Sequence, residues 1–299
     1  MKSSGLSCHV SAARIQPARR SIFGDVSGGG ALPRRMTLRT AYVSFPSLAA
    51  PPLTVAGKLV LPLDDDRPAD KSMPAVLICH GSDGVDGRGE FHAPALHEIG
   101  IATLEIDMWA ARGTGRGAAS RPGSPIETLP DAFGALRFLA AQPEIDPARI
   151  GIMGFSWGGV VTLLSATRRY ADALRGVAPG FAAHAALYPV CWLYGRAPAM
   201  ALSGLTGAPV LIQTGDADTY DDPDAGEKLL ASLAPDDARH VRQRTHAGAG
   251  HGFDRDLPAR TINDPAAHNG AGGEVLMAFN PVAAKAARSE IATFFKASL

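Results

Sequence analysis

The sequence predicts an α/β fold, with a mostly parallel central sheet and helices on both faces. Three observations carry this. Short continuous apolar runs such as "AVLIC" and "PVLIQT" have the character of strands buried on both sides. Longer runs, such as "NPVAAKAARSEIATFFKAS", repeat apolar residues at helical spacing. The two kinds alternate, which implies crossover connections between parallel strands.

The elements follow in order. "TLRTAYVSF" and "LTVAGKLVLP" alternate apolar and polar residues, as half-buried strands of an opening hairpin do. "MPAVLICHG" is a buried strand ending in glycine, "FHAPALHEIG" a helix and "IATLEIDMW" the next strand. "PIETLPDAFGALRFLAAQ" has helical spacing, and "DPARIGIMGF" is another buried strand. "GGVVTLLSATRRY" is expected as one helix, "FAAHAALYP" and "APVLIQTGD" as strands, and "DAGEKLLASLA" as a helix. "RHVRQRTHAG" closes the sheet and the amphipathic run from Asn280 closes the chain. The longest irregular stretch is Ala111 to Pro125, and long loops in compact domains more often serve a site than not.

Composition narrows the function. The 299 residues are 46% hydrophobic and 19% charged, enough for one large core, and a single domain is expected over residues 36–299. Residues 1–35 hold Arg14, Arg19, Arg20, Arg34 and Arg35 against one acid, Asp25, with little apolar periodicity; a disordered extension is expected there. The formal net charge of +0 gives no electrostatic case for nucleic acid or a membrane surface as partner. No stretch reaches the roughly 18 apolar residues of a membrane span. Cys8, Cys79 and Cys191 are far apart and in no metal-binding or disulfide spacing, so a reducing, cytoplasmic setting is expected. His92, His97 and Glu98 do not make H-E-x-x-H, so neither a metal nor a cofactor is expected.

The segment "GFSWGG", Gly154 to Gly159, follows a strand and opens a helix. Glycine weakens a helix or strand by roughly 0.5–1 kcal/mol relative to alanine, so a cluster here points to a backbone that side chains would obstruct. Gly154 and Gly158 flank Ser156 in G-x-S-x-G, the pattern that holds a serine on a sharp strand-to-helix corner at the carboxyl edge of the sheet. A serine hydroxyl needs a base, and the base an orienting acid. "GDADTYDDP" after one later strand offers Asp216, Asp218, Asp221 and Asp222; "AGHGF" after the last offers His251, with glycine on both sides. His246 lies within the preceding strand. The order serine, aspartate, histidine is that of α/β-hydrolases.

With "CHGSDG", "EIDMWAARG", "GFSWGG", "GDAD" and "GAGHGF" together, the chain from about Met73 resembles the dienelactone hydrolase family of the α/β-hydrolase superfamily. The resemblance implies Ser156 as nucleophile, His251 as base and Asp218, at the end of G-x-x-D, as the acid in preference to Asp216. Oxyanion donors in such enzymes are the amide after the nucleophile and one from the loop after the third strand, here those of Trp157 and Ser82. Resemblance also favours Arg112, in "ARG", as a site for a substrate carboxylate, Arg116 and Arg121 being its neighbours in the loop. The side chains of His80 and Trp157 are expected to be structural.

The best-known members use a cysteine nucleophile beside a glutamate in the oxyanion loop; here Ser156 and Gly81 stand in those positions. The expectation is therefore a serine hydrolase for small-molecule esters or lactones. A short-peptide hydrolase or acyl transferase would use the same residues, and a non-catalytic ligand-binding relative is the reading from another class.

Overall fold

A computed structural model describes residues 36–64 and 72–299. The expected N-terminal extension, with its arginines, lies outside the described residues. Among the described residues there are ten strands: β1 (Met36–Pro46), β2 (Thr54–Asp64), β3 (Met73–Cys79), β4 (Ala102–Asp107), β5 (Ile145–Phe155), β6 (Ala183–Leu187), β7 (Val210–Gly215), β8 (Val241–His246), β9 (Arg260–Asp264) and β10 (Gly273–Met277). The helices are α1 (Arg88–His97), α2 (Leu129–Ala140), α3 (Trp157–Ser165), α4 (Arg168–Leu174), α5 (Ala225–Ser232), the single turns α6 (Pro235–Ala238) and α7 (Ala267–Gly270), and α8 (Pro281–Ser298).

Eight strands make one sheet in the order β1-β2-β4-β3-β5-β6-β7-β8. β1 and β2 form the expected antiparallel hairpin, and β2 joins β4 antiparallel. From β4 to β8 every neighbouring pair is parallel. The apolar runs dictate this. Six of the seven residues of β3, all but Pro74, are buried at the sheet's centre, and β6 and β7 are buried throughout, as strands covered on both faces must be. One face packs against α2 and α3 through residues such as Phe133, Leu136, Val161 and Leu164. The other packs against α1 and α8 through Leu96, Ala284, Ile291 and Phe295. Asn280 caps α8, its side chain accepting from the Ala283 amide at 3.1 Å, with Pro281 in the first turn where no N–H is needed.

The structure departs from the sequence reading in two places. "GGVVTLLSATRRY" is two helices, not one. Thr167 is extended at φ −88° and ψ 140°, its hydroxyl donates back to the Leu164 carbonyl at 2.8 Å, and the Arg168 amide turns away to the Gly204 carbonyl. The second departure is a separate two-stranded sheet, β9 with β10, between the last strand of the main sheet and α8. It covers a small apolar cluster of Val190, Tyr220, Ala267, Val275 and Met277.

Candidate active site

The registers of the parallel strands bring their carboxyl ends to one edge. Cys79 pairs with Gly154, Phe155 with Leu187, Leu187 with Gln213 and Gly215 with His246. Ser156 is one residue beyond β5, Asp218 three beyond β7 and His251 five beyond β8, so all three leave the sheet at this edge.

Ser156 sits at φ 51° and ψ −111°, a backbone conformation that a β-substituted residue adopts at a cost of order 1–3 kcal/mol. The turn is pinned by the Ser156 amide on the Leu187 carbonyl at 3.0 Å and by the start of α3, where the Val160 amide meets the Ser156 carbonyl at 2.9 Å. The glycines are required by close approach. A Cβ on Gly158 would lie 2.1 Å from the Cys79 carbonyl oxygen, and one on Gly154 would lie 2.2 Å from that of Gly158.

At this corner three side chains form a chain of hydrogen bonds. His251 Nε2 is 2.8 Å from Ser156 Oγ, and His251 Nδ1 is 2.8 Å from Asp218 Oδ2. A carboxylate only accepts, so Nδ1 carries the proton toward Asp218 and Nε2 is left to accept from the hydroxyl. All three residues are buried, Ser156 being the most accessible at 8%. An imidazole so held can withdraw a hydroxyl proton at the moment the oxygen attacks an electrophile.

Two tyrosines hold that imidazole. Tyr220 lies against its face, ring centroids 4.0 Å apart, and Tyr188 meets it edge-on at 4.9 Å. Each phenol is tied to a buried carboxylate. The Tyr188 hydroxyl donates to Asp254, and that of Tyr220 bonds Asp264. Asp254 accepts from His92 Nε2 at 2.7 Å; although burial pushes its carboxyl up, His92, Arg88 and Tyr188 outweigh that and hold it below the usual range.

Ser82 and Trp157 lie on the two segments that meet at this corner. The loop His80–Ser82 abuts the turn after β5, for a Cβ on Gly158 would also meet the His80 carbonyl oxygen at 2.7 Å. The Ser82 carbonyl accepts from Trp109 Nε1 at 3.0 Å and from the Gly117 amide at 2.9 Å. Among the described residues neither the Ser82 nor the Trp157 amide has a protein acceptor, and Trp157 is the first residue of α3, where amides have no intrahelical partner.

The dienelactone hydrolase family matches residues 67–299. The chain belongs to that family. A 31%-identical relative over 202 residues is an uncharacterized protein of Mycobacterium tuberculosis, the match covering 64% of this chain and 68% of the relative. The solved structure of a dienelactone hydrolase-like promiscuous phosphotriesterase from metagenomic libraries matches with a TM-score of 0.63 at 19% identity, over 87% of this chain and 98% of that one. The hyperthermophilic esterase of the archaeon Pyrobaculum calidifontis gives 0.60 at 18%, over 87% and 85%. The two structural likenesses show the α/β-hydrolase fold; family membership supports a hydrolase.

In this dienelactone hydrolase family member the arginines of the long loop are engaged by the protein itself. Arg112, expected as a binding site for a substrate carboxylate, is already occupied. Its Nη1 donates to Asp131 Oδ2 at 2.6 Å and to the Met108 carbonyl at 2.8 Å, and its Nη2 to Asp131 Oδ1 at 3.3 Å and the Glu127 carbonyl at 3.0 Å. A fork already filled by a carboxylate and two carbonyls has no paired N–H groups left for a ligand, which corrects the expectation. The room at Gly81 is likewise taken by an arginine. A Cβ on Gly81 would lie 2.7 Å from Arg88 Nη2, so the buried Arg88 guanidinium takes that space, paired with Asp86 at 2.8 Å.

The remaining candidates are structural. His80 Nδ1 faces the Gly81 carbonyl at 2.8 Å and its Nε2 accepts from the Met108 amide at 2.9 Å; burial lowers it to about 4, so the ring is neutral. The Trp157 indole donates to Thr128 at 3.0 Å. Asp216 accepts from the Gly248 amide at 2.6 Å, and Asp221 from the Cys191 and Trp192 amides at 2.7 and 2.8 Å. His246 is held by Gln213 at 2.6 Å. Among the described residues no group of three His, Cys, Asp or Glu side chains is placed to hold a metal ion, and no helix is long and apolar enough to cross a membrane.

Sequence reasoning missed Tyr188, Tyr220 and Asp264. One signal was available for Tyr220. It stands two residues after Asp218, and its amide donates to Asp218 Oδ1 at 2.9 Å, the turn that aspartate forms with the residue two ahead.

Proposed function

We propose that the protein is a serine hydrolase that cleaves carboxylic esters or lactones of small molecules through an acyl-enzyme. The observation that carries this is the unbroken chain from Ser156 Oγ through His251 to Asp218, with both bonds at 2.8 Å. Ser156 Oγ attacks the substrate carbonyl as His251 Nε2 takes its proton, and Asp218 stabilises the imidazolium formed. The free amides of Ser82 and Trp157 donate to the oxygen that gains charge, each such donor being worth roughly 3–4 kcal/mol in the transition state. His251 returns the proton to the departing alcohol. It then deprotonates a water, which attacks the acyl carbon and frees the acid and Ser156.

A small substrate suits a site whose three side chains are buried, with Tyr220, which lies on His251, packed in turn against Val275 and Met277 of β10. Activity against a panel of p-nitrophenyl esters and lactones tests the reading, together with organophosphonate labelling located by mass spectrometry. Turnover that vanishes in Ser156→Ala, with the label on Ser156 in the parent chain, is the expected result. No turnover across the panel and no label would instead favour a ligand-binding protein.

A further inference from the structure

Ser82 is held by three hydrogen bonds at two atoms, and its amide is free. Its carbonyl is held twice, by Trp109 and Gly117, and its hydroxyl accepts from Arg121 Nη1 at 2.8 Å. The same guanidinium lies over the Trp157 ring, its central carbon 5.5 Å from the centroid. One planar group therefore touches both residues whose amides stand free at the Ser156 corner. Arg121 is itself locked. Nη1 donates to Asp264 Oδ2 and Nη2 to Asp264 Oδ1, both at 2.8 Å, the paired geometry that fixes a guanidinium in plane and rotation.

Asp264 is the last residue of β9 and is 1% exposed. It also accepts from the Ala266 amide at 2.8 Å and bonds the hydroxyl of Tyr220, whose ring lies on His251. Burial would push its carboxyl up, but Arg121, the Ala266 amide and Tyr220 together hold it below the usual range. Its negative charge offsets that of Arg121, so the pair adds rigidity more than charge.

We propose that Arg121 is a positioning residue that sets the Ser82 amide against that of Trp157, and that Asp264 of the hairpin holds Arg121 there, linking the oxyanion side of the site to the base side. This rests on the serine hydrolase reading given above. It differs from a ligand role for Arg121, because both terminal nitrogens are already engaged by Asp264 and Ser82. The hairpin thereby becomes part of the machinery.

Steady-state kinetics on a p-nitrophenyl ester test it, alongside the rate at which an organophosphonate labels Ser156. Arg121→Ala should lower kcat by about 30-fold while KM stays within about 3-fold, since a displaced oxyanion donor is missed mainly in the transition state. Ser82→Ala keeps the amide but loses the hydroxyl, and should cost about 5-fold in kcat. The double variant should be no slower than Arg121→Ala alone, because both changes cut one connection. Asp264→Asn should fall between them, and all should slow labelling in proportion to kcat. If Arg121→Ala does not fold, Arg121→Lys with Ser82→Ala forms the same cycle. Independent, multiplying losses, or a fall in thermal stability with kcat unchanged, overturn the proposal while labelling of Ser156 in the parent chain leaves the hydrolase reading standing. Absence of that label overturns both.

Discussion

The ring of Tyr220 lies 4.0 Å from that of His251, centroid to centroid, tilted by 32°. A base that must reach both a hydroxyl and a carboxylate is useful only while its ring plane is fixed, and here a flat surface fixes it. Tyr220→Phe keeps the surface and loses only the bond to Asp264; kcat for a p-nitrophenyl ester should stay within about 3-fold of the parent. Tyr220→Ala releases the ring and should lower kcat by roughly 10–100-fold with a smaller effect on KM.

Asp218 and Asp216 are two residues apart and are told apart by their partners. Asp218 faces His251 Nδ1, whereas Asp216 binds the Gly248 amide. Asp218→Asn should reduce kcat by about 10⁴-fold, since an amide there favours the wrong imidazole tautomer. Asp216→Asn should change it by less than about 3-fold, because an amide oxygen can still accept from Gly248. Parallel assays of the two variants, with circular dichroism to confirm folding, check the assignment.

Much of this was legible in the sequence, and what was not has a physical reason. Buried parallel strands announce themselves as apolar runs, and a nucleophile on a tight corner announces itself by its glycines. β9 and β10 do neither, being five residues each in which exposed side chains alternate with a few that lean on Tyr220 and Val190. The loop arginines could be found but not assigned. Arg121 and Asp264 are 143 positions apart, and no local pattern links a guanidinium to a carboxylate at that distance. Arg112 was misread for the same reason, its partner Asp131 lying on a helix face that spacing alone describes as buried.

Arg112 and Asp131 give a stability prediction. Asp131 is fully buried, and Arg112 neutralises it. Arg112→Ala strands a buried carboxylate and should cost about 3–5 kcal/mol in denaturant unfolding. Combining it with Asp131→Leu should recover much of the loss. KM for anionic and neutral esters should shift equally; a selective rise for the anionic ester would restore a binding role to Arg112.

Gly158 is the least replaceable glycine at the corner. An alanine Cβ would lie 2.1 Å from the Cys79 carbonyl oxygen, which is backbone of a strand at the centre of the sheet. Gly158→Ala should lose more than about 3 kcal/mol or yield no folded protein, whereas Gly195→Ala, where nothing lies within 4 Å, should behave as the parent in thermal unfolding.

Glu105 sets a pH dependence of its own. Its carboxyl packs against Gly89 at the start of α1, and burial raises it to about 7 from 4.5, with Lys58 opposing and Glu90 and Asp86 adding. The folded state therefore holds a proton that the unfolded state gives up. That contribution is complete below about pH 4.5 and is lost as pH rises through about 7. Glu105→Gln should match the parent near pH 4.5 and exceed it by on the order of 2 kcal/mol at pH 8, read by urea unfolding at both values.

Because β9 and β10 pair only with each other, the ribbon that carries Asp264 and packs on Tyr220 is a removable tile laid on a finished building. Changes to its length or apolar lining leave every rung of the eight-stranded ladder in place. New substrate preferences are thus open to exchange of this one ribbon, provided the replacement brings an aspartate to meet Arg121.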